Sequence, residues 1–97
     1  MDEPRLKDMM AAVGYLLLNW GQLEHRLDGR PVPAKLEAVR RLRNSICHCL
    51  SSAHGQIGSE PFVVSRDRDG IETKHTWTEV NDAIRVLEGF RGEAIAD

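Results

Sequence analysis

From Arg40 to His48 the chain reads Arg-Arg-Leu-Arg-Asn-Ser-Ile-Cys-His, an apolar helix pattern that carries three arginines, an asparagine and a histidine within nine positions. That is more polar chemistry than an ordinary core helix holds. Histidine is the side chain whose unperturbed pKa permits ready proton traffic near neutrality. Arginine presents a planar fork of N–H donors that matches the oxygens of a phosphate. Arg43, Asn44 and His48 are therefore the candidate catalytic set, with Arg40 and Arg41 as added local positive charge. Arg66, Arg68 and Lys74 would extend that charge if they fall on the same side.

Helical geometry restricts what the set can do. Arg43 and His48 are five residues, or about 140°, apart, whereas Arg41, Asn44 and His48 share a line at i, i+3 and i+7. Arg43 must then reach around the helix or meet a phosphate from its flank, which suits a cleft better than a flat face. A purely structural arrangement competes: Arg43 pairs with Glu24, His48 caps a neighbouring carbonyl, and Arg40 and Arg41 form a solvated helix face. Zinc ligation by Cys47, His48, Cys49 and His54 is disfavoured, because Cys-His-Cys on one helix points in three directions and the usual paired spacing is missing. No metal and no cofactor is expected. A nucleophilic Cys47 has equally little support, and Cys49 reads as core. Cys47 and Cys49 point roughly 200° apart on a helix, so an intrachain disulfide is implausible and both are expected as reduced thiols.

Arg43 and His48, with four residues between them and Asn44 directly after the arginine, resemble the R-X4-6-H signature of HEPN domains, small helical proteins of which many are metal-independent ribonucleases. Upstream, Gly14, Trp20, Glu24 and Leu27 are similar to the "G…W…E..L" pattern of bacterial members. The resemblance covers Leu6 to Ser52. It implies a composite site in which two copies of the motif meet at a homodimer interface. It also implies RNA cleavage, with His48 drawing the 2′-hydroxyl proton, Arg43 stabilising the phosphorane charge and Asn44 positioning the phosphate. Arg40 and Arg41 would bind the RNA, and Glu24 would give structural support. The expected function is a HEPN-like endoribonuclease, a toxin or defence component with an antitoxin or nucleotidyltransferase-like partner. The alternative is a non-catalytic HEPN-like module for dimerisation or for binding a partner or nucleotide. The chain departs from the family in having Cys49 where glycine often follows the histidine, and in being shorter than the usual four or five helices.

The elements that must hold these residues follow from periodicity. Leu6, Met9, Met10, Val13, Leu16, Leu17, Trp20, Leu23 and Leu27 recur at three- and four-residue steps, predicting an amphipathic first helix with Asn19 and Glu24 as polar exceptions. Trp20, Glu24 and Leu27 at i, i+4 and i+7 put the Glu24 carboxylate on the apolar stripe, where it needs a partner. Asp28 to Pro33 breaks the helix, with Gly29 suited to the left-handed C-terminal position. A second helix is expected from Pro33 or Ala34 into Ser51-Ser52-Ala53, antiparallel to the first. Its apolar side is Leu36, Val39, Leu42 or Arg43, Ile46 and Leu50. Gln56 to Glu60 reads as a loop. Residues 61–66 and 71–77 flank Asp67-Arg68-Asp69-Gly70, whose Asp-Gly pair predicts a β-hairpin. Ile71, Thr73, His75 and Trp77 share one face of its second arm, with His75 and Trp77 read as packing residues. Thr76 with Glu79 fits a capping box, Thr78 being a rival cap, and opens a third helix with Val80, Ala83, Ile84, Leu87, Phe90 and Ala94 inward. Gly89 and Gly92 weaken its later half. The expected fold is mainly α, an antiparallel bundle of three helices with a β-hairpin between the second and third, in one domain spanning 1–97.

Composition sets outer limits. Ninety-seven residues suffice for one domain that buries only about two-thirds of its unfolded surface, so a partner subunit would help considerably. A net charge of −2 argues against coating nucleic acid through an overall field, and any such contact must be local. No apolar run approaches the ~20 residues that span a bilayer, and no basic-then-apolar signal opens the chain, so a cytoplasmic protein is expected.

Overall fold

The computed structural model describes residues 3–91. Three helices and a three-stranded antiparallel sheet follow in the order α1 (Leu6–Leu27), a short 3-10 turn (Ala34–Leu36), α2 (Glu37–Cys49), β1 (Leu50–His54), β2 (Phe62–Arg66), β3 (Glu72–Thr76) and α3 (Trp77–Arg91). Gly92 and Ala94, expected on the third helix, lie outside the described residues.

α1 buries Met9, Val13, Leu16, Trp20, Leu23 and Leu27 along one stripe, and α3 answers with Val80, Ala83, Ile84, Leu87 and Phe90. Asn19 is also buried on this seam: its amide donates to the Tyr15 carbonyl at 2.7 Å, and its oxygen accepts from the Arg91 guanidinium. α1 ends at Asp28, which takes the left-handed conformation (φ 49°) one residue before Gly29 does (φ 83°). Arg30 closes the end by donating to the carbonyls of Leu27 and Arg26, both at 2.8 Å.

The expected helical bundle with an inserted hairpin is not what forms. α2 stops at Cys49, and Leu50–His54 leaves it directly as a strand that pairs antiparallel with β2, giving the sheet order β1-β2-β3. Leu50 is already extended (φ −63°, ψ 122°), so a change in ψ alone converts helix into strand and no glycine marks the joint. Phe62–Arg66 needs hydrogen-bond partners on both edges, and unpaired buried backbone groups are costly. β3 supplies one edge, with Phe62 opposite Thr76 and Arg66 opposite Glu72. β1 supplies the other, with an irregularity between Leu50 and Ser52. At the far end of β1, a Cβ on Gly55 would lie 2.9 Å from the Leu6 Cβ, so glycine lets this strand pass the start of α1.

Between β2 and β3 the Asp67 carboxylate accepts from the Asp69 and Ile71 amides, each at 2.9 Å, with Gly70 at φ 82°. The sheet docks on the helices through buried Val63, Ser65 and His75, while Ile71 and Thr73 are exposed because docking favours the β2 end of the face. Trp77 is already the first residue of α3, half-buried against the core. At that start the Glu79 amide donates to Thr76 Oγ1 at 3.2 Å, making Thr76 the cap. Glu60, in the loop before β2, adds a second cap, accepting from the Thr78 amide at 2.8 Å and holding its own pKa below the usual range through that bond. No helix among the described residues is long and apolar enough to cross a membrane.

Candidate functional site

α2 carries every residue of the Arg40 to His48 stretch, and its 3.6-residue period distributes them around the helix. Val39 and Ile46 point into the core. Arg43 leaves the helix on the flank nearest α1. Its Nη1 donates to Asn44 Oδ1 at 2.9 Å, and its Nη2 stands 3.8 Å from Glu24 Oε1 of α1. The side chain is 23% exposed, while Nε is buried without a hydrogen-bond partner. The guanidinium is therefore held between a carboxylate and an amide with its outer edge reachable from solvent.

Glu24 is 54% exposed, so it is not the buried carboxylate that its place on the apolar stripe suggests. Trp20 fills the seam, and the Glu24 side chain turns out to its edge to meet Arg43. Asn44 is half-buried and His48, one turn further on the same line, is exposed near the end of α2. The arrangement is a polar strip that starts at Glu24, passes through Arg43 and Asn44, and continues toward His48. Within one copy, Arg43 and Asn44 touch, and the backbone positions of Arg43 and His48 lie about 140° apart around the helix axis.

Arg40 and Arg41 occupy the opening turns of α2 and both meet Glu37. Arg40 Nε donates to Glu37 Oε2 at 2.9 Å, and Arg41 Nε lies 3.4 Å from Oε1. The Arg40 hydrogen bond draws the Glu37 pKa down to about 2. The pair of cations thus carries one neutralising carboxylate and leaves Arg41, 76% exposed at its side chain, as the more available charge. Arg66 and Lys74 do not continue this charge. By strand alternation they share the outer sheet face with Phe62, over whose ring Lys74 Nζ sits at 4.3 Å. That face is opposite the one that carries Val63, Ser65 and His75 to the helices. Cys47 is exposed on α2 and Cys49 half-buried, so Cys49 is only partly a core residue.

His75, expected as a packing residue, has a polar partner in Ser45, for which the sequence carries no expectation. His75 is buried at the end of β3, its Nε2 2.9 Å from Ser45 Oγ of α2. The signal present in the sequence is the i, i+4 spacing of His75 and Glu79 across the strand-to-helix joint, which brings Nδ1 to 3.7 Å from Glu79 Oε2. Comparison with protein-family models, curated proteins and solved structures finds no match to this chain.

Proposed function

We propose that this protein is a HEPN-like, metal-independent endoribonuclease that works as a homodimer through α2. The observation that carries the reading is the fixed Arg43 guanidinium, tethered by Glu24 and Asn44, on the same helix as an exposed histidine. Arg43 would stabilise charge on the phosphorane, Asn44 would position the phosphate, and His48 would take the 2′-hydroxyl proton. Because Arg43 and His48 of one helix stand about 140° apart, a two-fold pairing of α2 helices would let the Arg43 of one copy meet the His48 of the other. Arg40 and Arg41 would guide the RNA backbone into that cleft. A toxin or defence role, with an antitoxin or nucleotidyltransferase-like partner and a cytoplasmic address, belongs to the same proposal.

The test is incubation of purified protein with a labelled mixed-sequence RNA in chelator. Wild type is expected to leave 2′,3′-cyclic phosphate ends, and His48→Ala to be slower by ~10² to 10⁴ while keeping its helical circular dichroism. Arg43→Lys should also be poorly tolerated, since lysine keeps the charge and loses the fork. Equal cleavage by wild type and His48→Ala would remove His48 from the mechanism, and no cleavage of any RNA tried would favour the non-catalytic binding module.

A further inference from the structure

On the flank of α2 away from Glu24, a groove of about 560 Å³ runs between α2, β3 and α3. Its walls are mostly apolar, with Val39, Leu42, Ala83 and Val86 among them, and Ser45, His75 and Glu79 also face it. Ser45 Oγ is 2.9 Å from His75 Nε2, and His75 Nδ1 is 3.7 Å from Glu79 Oε2. The carboxylate beside Nδ1 favours the tautomer with its proton there. Nε2 is then the acceptor and the Ser45 hydroxyl the donor. The order is that of a nucleophile, a base and a carboxylate: Ser45 and His75 are at hydrogen-bond distance, and Glu79, 51% exposed, stands just beyond it at 3.7 Å. Arg41, one helical turn before Ser45, also lines the groove.

Three elements build this arrangement. His75 is fixed at the end of β3 with only 8% of its side chain exposed, and Glu79 projects from the first turn of α3, whose start is pinned by the bond from the Glu79 amide to Thr76. α2 brings Ser45 to them from across the groove. A buried histidine that needed only a structural partner could take a backbone carbonyl anywhere in the core. Here its partner is a hydroxyl that lines an open apolar groove, with a cation one turn away.

We propose that Ser45, His75 and Glu79 form a second site, a serine acyl-transfer centre that hydrolyses esters with short apolar acyl chains seated in the groove. Ser45 Oγ bonds to the acyl carbon as its proton passes to His75 Nε2. The ester C–O bond breaks, and His75 returns the proton to the departing alkoxide. Water then attacks the acyl-Ser45 ester, giving a proton to His75, which passes it to Ser45 Oγ as the carboxylic acid leaves. Arg41 faces the oxyanion formed in each half, and Glu79 acts as a positioning residue by holding the histidine tautomer.

The full chain is treated with a fluorophosphonate probe and examined by intact and fragment mass spectrometry, in parallel with p-nitrophenyl butyrate hydrolysis. One adduct per chain, on Ser45, is expected, with hydrolysis lost by ~10²-fold or more in Ser45→Ala and in His75→Gln. Glu79→Ala should lower kcat with KM unchanged. The labelling of folded wild type requires no variant to fold. Absence of an adduct on Ser45, or hydrolysis by Ser45→Ala equal to wild type, overturns the proposal. RNA cleavage does not enter either readout, so the fate of the His48 site leaves this test intact.

Discussion

Arg43 is the residue on which two accounts of α2 diverge. Its guanidinium meets Glu24 at 3.8 Å, but the Glu24 side chain is 54% exposed, so the pair belongs with solvent-screened ion pairs worth at most ~1 kcal/mol, not with buried pairs whose disruption costs ~3 to 5. Glu24→Gln is therefore expected to lower stability by no more than ~1 kcal/mol while loosening the guanidinium. Under the ribonuclease reading the same change should reduce cleavage more than it reduces stability, because a misplaced donor acts on the transition state alone. Urea titration alongside the RNA assay checks both halves. A loss of several kcal/mol would mean that Glu24 is chiefly a structural anchor, and unchanged cleavage would mean that its tether does not orient Arg43.

At the scale of elements, two helices begin beside a carboxylate whose pKa is lowered. Glu37 opens α2 and is held at about 2 by the Arg40 hydrogen bond, while Glu60 caps α3 through the Thr78 amide. Each is lower in the fold than the ~4.3 of an unfolded glutamate. Their contributions are present above that value and fade as pH falls through the folded pKa, for Glu37 toward about 2. Melting temperature should thus not change with pH through these groups near neutrality and should drop on acidification below ~4, with the drop shallower in Glu37→Gln/Glu60→Gln. Identical acid limbs in wild type and the double variant would show that neither group is linked to folding. The same elements mark what was legible in the sequence. α1 and α3 announce themselves because each repeats an apolar residue every three or four positions over several turns. The pairing of Glu24 with Arg43 was readable because both sit at the edge of an apolar stripe. β1 was not, since Leu50-Ser51-Ser52-Ala53-His54 continues a helical stretch with no breaker and becomes a strand only because β2 offers an edge to pair with. Glu60 as a cap and Ser45 beside His75 were hidden for a related reason: each contact joins residues 18 or more apart, which no local spacing encodes.

The described residues form a slab, 46 × 39 × 17 Å, hardly thicker than two packed layers. A slab encloses less core than a sphere of equal volume, and Leu18 (60% exposed) and Ile71 (63%) are left at its surface. A second copy would offset that deficit, so light scattering is expected to give twice the 10.9 kDa chain mass at micromolar concentration. The proposed two-fold through α2 makes a sharper demand. Cys47 is exposed between Arg43 and His48, so in that dimer the two Cys47 thiols stand close together across the interface. A short bismaleimide should then join two chains in a Cys49→Ser background and fail when Cys47 is also replaced by Ser. A dimer that resists this cross-link would be built on another face, such as that of Leu18 and Tyr15, and the Arg43 of one copy would not meet the His48 of the other.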